Sequence, residues 1–142
     1  MRTIKAEIKQ VNGLTLIGKA DSGHWVTMDA SEQLGGADAA ARPLELFLIG
    51  LGGCTSMDVI SILQKKRIKL DDFQCTLETD QAEQHPKVFT RVRITFILYG
   101  DNIPKEAVER AIELSETKYC SASAMLRKST EIEIGYEIRS SK

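Results

Sequence analysis

Pro43-Leu44-Glu45-Leu46-Phe47-Leu48-Ile49-Gly50-Leu51-Gly52-Gly53-Cys54-Thr55 is the stretch on which the fold turns. Pro43 suits a first helical position, where its missing N–H costs nothing. From Leu44 to about Lys66 the apolar residues recur at helical spacing, and as far as Cys54 they cover nearly every side. A helix that is apolar all round has to be buried all round. Gly50, Gly52 and Gly53 each lower helix propensity by up to about 1 kcal/mol relative to alanine, so close approach of another backbone is the expected compensation. A second helix is expected to cross there, and a partner subunit is one source of it.

On either side of this helix the pattern is that of strands. Ile4, Ala6 and Ile8 alternate with Lys5, Glu7 and Lys9, Asn12-Gly13 signals a hairpin, and Leu14 to Gly18 returns the chain. His24 to Asp29 reads as a third strand, and Ser31 to Arg42, with Gly35-Gly36, as a loop. Beyond the helix, Phe73, Cys75 and Leu77 share one face of a strand near Asp72 to Thr79. A polar turn at Gln84-His85-Pro86 leads to a strand with Val92, Ile94, Phe96 and Leu98 on one side and Arg91, Arg93 and Thr95 on the other. Asp101 or Asn102 is expected to cap a helix with Pro104 in its first turn and a stripe of Ala107, Val108, Ala111, Ile112, Ser115 and Tyr119. A short helix after Cys120 runs to about Lys128, and a last strand turns Ile132, Ile134, Tyr136 and Ile138 inward. The order βββ-α-ββ-α-α-β predicts one α+β domain over residues 1–142.

Composition narrows the function. A net charge of −1 and a pI near 6.1 argue against nucleic acid or an anionic membrane as partner. The N-terminal residues contain no secretory apolar core, and the longest apolar run, Leu46 to Leu51, is too short to span a bilayer. Three cysteines without a Cys-x-x-Cys pair make a poor disulfide framework and suit a reducing, cytoplasmic setting. His24 and His85 have no ligand spacing, and no nucleotide loop or zinc signature is present, so neither metal nor cofactor is expected.

Cys54 and Cys120 are the residues that could carry chemistry. A peroxide-reducing cysteine reacts as the thiolate, and its sulfenic acid must then meet a second thiol. Cys120 lies where a helix N-terminus favours negative charge. Cys54 lies deeper along its helix and needs a cation or donors from elsewhere. Thr55 and Ser56 are local donors, and Arg42 is the guanidinium nearest in sequence. The plain alternative is a pair of small core residues. Cys75, between Phe73 and Leu77, reads as a core thiol, and Lys65-Lys66-Arg67 as a solvated helix end.

The chain resembles the OsmC/Ohr family of osmotically inducible and organic hydroperoxide resistance proteins. The resemblance rests on the strand-rich first third, the Pro43-x-Glu45-Leu46 opening, Gly53-Cys54, the cysteine after a later helix and the closing alternating strand. Gly50 to Leu63 and Tyr119 to Leu126 are most similar to its YhfA-like branch. The resemblance implies an intertwined homodimer, with curved antiparallel sheets wrapped around central helices and active sites at the subunit interface. It also implies that Cys54 attacks an organic hydroperoxide, that Cys120 resolves the sulfenic acid, and that a dithiol reductant restores both, as part of an oxidative stress response. Family members activate the first cysteine with an arginine and with a glutamate directly after the proline. Here Leu44 holds that position, and Arg42 and Glu45 are the nearest substitutes. A hydroperoxide reductase therefore stands against a second reading, a dimeric binding protein for a small apolar molecule with unreactive cysteines.

Overall fold

The computed structural model describes residues 1–141. Two compact units succeed one another along the chain, Met1–Leu48 and a second that starts at Ile49.

In the first unit, β1 (Glu7–Asn12), β2 (Thr15–Lys19) and β3 (Val26–Met28) form an antiparallel sheet in that order. The expected hairpin is present, and Gly13 takes the φ of +57° that its tight turn requires and side chains resist. Asp29, only 2% exposed, organises the loop that follows. Its carboxylate accepts from Thr15 Oγ1 at 2.8 Å and from the N–H groups of Ala30, Ala37 and Ala39 at 2.7, 3.3 and 3.2 Å. These bonds, that from Thr15 foremost, outweigh burial and hold the carboxyl below its usual range. Glu32–Leu34 makes one 3₁₀ turn inside this loop.

Helix α1 (Pro43–Lys65) starts where Pro43 predicts. Glu45 Oε1 accepts from the Arg42 N–H at 2.7 Å, the reaching-back half of a capping box. The Arg42 guanidinium is held by Asp38 at 2.6 Å and by the Ala40 carbonyl at 3.0 Å.

The second unit contains the rest of α1, then β4 (Asp72–Gln81), β5 (Phe89–Tyr99), α2 (Lys105–Leu114), a π-helical turn (Ser115–Tyr119), α3 (Ser121–Leu126) and β6 (Glu131–Arg139). The expected element order is thus found. One feature of the expected sheets is corrected: β5 sits between β4, antiparallel, and β6, which runs parallel to it. The helical crossover between Tyr99 and Glu131 brings the chain back to the end where β5 began, and such a return produces a parallel pair. Val92, Ile94, Phe96 and Leu98 are fully buried, as their alternation predicts. Arg91 pairs with Glu131 and Glu133 of β6, and Arg93 with Glu78 and Asp80 of β4.

Two local expectations fail. Pro104 itself occupies the cap of α2, its carbonyl taking the Ala107 and Val108 N–H groups, so neither Asp101 nor Asn102 caps the helix. Tyr119 leaves the apolar stripe and is 49% exposed, because the π turn inserts extra backbone and rotates it outward.

Helix α1 is not buried all round within one chain. Leu51, Gly52, Thr55, Val59 and Leu63 are buried, while Phe47, Ile49 and Met57 are 64%, 60% and 72% exposed. The glycines divide accordingly. A methyl group added at Gly52 would lie 2.5 Å from Leu77 Cδ1 of β4, so there the close neighbour is a side chain of the same chain rather than another backbone. Gly50 and Gly53 face open space. By length and composition alone α1 could also cross a membrane, since glycine, serine and threonine scarcely lower its apolarity; counting only Leu46 to Leu51 understated it. In the fold it is a core helix, with Leu51, Val59 and Leu63 at 1% exposure or less.

Candidate two-thiol site

Three elements of the second unit meet at Cys54 and Cys120. Helix α1 carries Cys54, half-buried. The π turn delivers Cys120, whose N–H donates to the Ser115 carbonyl at 2.9 Å. Cys120 is 3% exposed and is the N-cap of α3, where its sulfur accepts from the Ser123 N–H at 3.4 Å. A cysteine thus fills the place usually held by serine or aspartate.

The two sulfurs are near enough to influence each other's ionisation, and the Ala122 N–H favours the thiolate of Cys54. The first turn of α3 therefore caps the Cys120 sulfur and lends its backbone polarity to Cys54. Desolvation is the largest influence on Cys54 and pushes its thiol up. Cys120 and the charge of Asp58 push the same way, and the Ala122 N–H opposes them. All three cysteines are free thiols.

The donors nearest in sequence serve elsewhere. Thr55 Oγ1 donates to its own helix at the Gly52 carbonyl, 3.2 Å away, and the Ser56 hydroxyl bonds to Cys75. Cys75 is only part-buried and so lies at the edge of the core rather than inside it, though burial still pushes its thiol up. The Arg42 and Glu45 side chains have the loop and capping partners already described. Ala122, Ser123, Asp58 and Ser115 escaped the sequence reading. Ala122 and Ser123 act through backbone N–H groups, which every residue but proline has. Ser115 and Asp58, 57 residues apart, share a 2.9 Å hydrogen bond from the serine hydroxyl to the carboxylate.

Asp58, Ser61, Ile62, Lys65, Lys66, Leu114 and Tyr119 line a cavity of about 350 Å³, to which neither Cys54 nor Cys120 contributes a wall. Among the described residues no group of His, Cys, Asp and Glu is arranged to hold a metal ion.

Residues 35–135 match the family described as OsmC-like protein. The chain belongs to the OsmC-like family. Protein YhfA of Escherichia coli K12 is 39% identical over 135 residues, spanning 95% of this chain and 98% of that one. Among solved structures of OsmC-like shape, a hypothetical protein from Aquifex aeolicus VF5 is 30% identical, with a TM-score of 0.86 and full coverage of both chains. An organic hydroperoxide resistance protein OsmC from Legionella pneumophila shares the fold at a TM-score of 0.70, with 17% identity and 96% and 98% coverage.

Proposed function

We propose that the protein reduces organic hydroperoxides with Cys54 and Cys120 and is restored by a dithiol. The observation that carries this reading is that two free thiols lie near enough to influence one another beside the first turn of α3. The Cys54 thiolate attacks the outer peroxide oxygen; an S–O bond forms, the O–O bond breaks, and the alkoxide leaves and takes a proton to become the alcohol. Cys120 then attacks the Cys54 sulfenic sulfur; the S–S bond forms and hydroxide leaves, becoming water with the Cys120 proton. A dithiol reduces the disulfide by two exchanges and is released as its own cyclic disulfide. Arg42 and Glu45 enter this reading as residues that set the start of the helix bearing Cys54. Free thiols fit a cytoplasmic setting.

The test is one equivalent of an organic hydroperoxide given to reduced protein, followed by mass spectrometry. A Cys54–Cys120 disulfide and one equivalent of alcohol are expected. Since only the thiolate reacts and the Cys54 thiol is pushed above its ordinary value, the rate should climb continuously from about pH 6 to about pH 9. Protein that stays reduced, or a rate flat over that range, defeats the proposal. The binding-protein reading has the cavity that Asp58 and Tyr119 help to line in its favour, yet Asp58, Lys65 and Lys66 on its wall suit an apolar guest poorly.

The working form in this proposal is a homodimer. One chain leaves Phe47, Ile49 and Met57 of α1 exposed, and β1 has Ile8 and Val11 at 57% and 58% exposure, an apolar surface that water does not favour. Sedimentation equilibrium at micromolar concentration should return twice the chain mass; a monomer there refutes it.

A further inference from the structure

We propose that Asp58 is a positioning residue for the disulfide-forming step, holding through Ser115 the π turn that presents Cys120 to Cys54. The inference rests on the two-thiol reading above and adds to it a residue outside the cysteine pair. Asp58 follows Cys54 by four residues on α1, so the two share a helix face. Its carboxylate accepts the Ser115 hydroxyl at 2.9 Å, and Ser115 is only 4% exposed. Ser115 in turn accepts the Cys120 N–H through its carbonyl. One side chain therefore ties the helix of the first sulfur to the backbone of the second. The tie falls where the helical repeat is irregular; Thr117 and Glu116 fasten the same turn to Glu113 and Arg127, and the Asp58–Ser115 bond fastens it to α1.

The same carboxylate puts negative charge near Cys54. The other titratable group acting on Cys54 is Cys120 at the cap of α3, while Lys65, Lys66 and Tyr119 share the cavity wall with Asp58. A charge that opposes thiolate formation on Cys54 slows peroxide attack, whereas the bond to Ser115 serves the later step. Asparagine keeps an oxygen for the Ser115 hydroxyl and removes the charge, which makes the two roles separable.

The experiment compares Asp58→Asn, Asp58→Ala and Ser115→Ala in the full chain. Two rates are read: Cys54–Cys120 disulfide formation under the thiol oxidant diamide, which needs no peroxide, and loss of the Cys54 sulfenic acid after one equivalent of hydroperoxide. Asp58→Ala and Ser115→Ala should slow both about tenfold, with a dimedone adduct accumulating at Cys54. Asp58→Asn should restore both rates to near those of the parent and move the pH midpoint of peroxide attack downward. Ser115→Ala should leave that midpoint in place. Alanine variants that close the disulfide at the parent rate overturn the inference, as does Asp58→Asn closing it as slowly as Asp58→Ala. Should diamide close the disulfide in the parent while hydroperoxide does not, the peroxidase reading falls, and the diamide rates still judge Asp58.

Discussion

Cys54→Ser is expected to lose hydroperoxide consumption by about 10³-fold or more, the scale of removing a nucleophile on which the remaining groups depend. Cys120→Ser should keep a single turnover and stop at one sulfenic acid per chain. Exposure and family resemblance point to the same first attacker. Cys54 is half-buried and can be reached by a peroxide, whereas Cys120 is 3% exposed and sits inside the cap of α3. The Ala122 N–H favours the Cys54 thiolate, although burial outweighs it, so access rather than acidity singles out Cys54. A dimedone-type probe should label Cys54 in Cys120→Ser and nothing in Cys54→Ser. Labelling of Cys120 in Cys54→Ser at a comparable rate would show the roles to be reversed.

Phe96→Ala should cost about 3–5 kcal/mol, the usual price of emptying a buried aromatic site. Phe96 lies on the central strand β5 and is fully buried, with its ring 5.8 Å from that of Phe73. It stands opposite Cys75 of β4 and beside Tyr136 of β6, so the void opens under all three strands. Against a typical total stability of about 5–15 kcal/mol, such a loss removes much of the margin. Denaturant unfolding with an unchanged slope and a much lower midpoint is the expected record. A loss below about 1 kcal/mol would mean that Phe96 is not the centre of this core.

The two discriminating variants differ in how far their rationale can be read along the chain. Phe96 is legible because a strand repeats every two residues, so Val92, Ile94, Phe96 and Leu98 declare a buried face without any knowledge of what covers it. The Asn12-Gly13 turn and the Pro43 helix start are local for the same reason: backbone sterics decide them within a few residues. The π turn broke such a local rule. The 3.6-residue period carried Tyr119 into the core stripe, but the extra backbone between Ser115 and Cys120 turned it outward.

The two cysteines could be singled out as residues, and the family of folds was legible from their separation and from the order of the elements around them. Their proximity was not. Cys54 and Cys120 stand on either side of β4, β5 and α2, and loop closure over such a distance leaves no trace in spacing. Sequence by itself determined the elements, the buried face of the sheet and the candidate thiols, because each depends on neighbours within a turn or a strand. Only the tertiary structure decided that β6 runs parallel to β5, that the Ser123 N–H of α3 caps the Cys120 sulfur near Cys54, and that Asp58 reaches Ser115. Those facts depend on backbone groups common to almost every residue and on packing between distant segments, neither of which a one-dimensional pattern records.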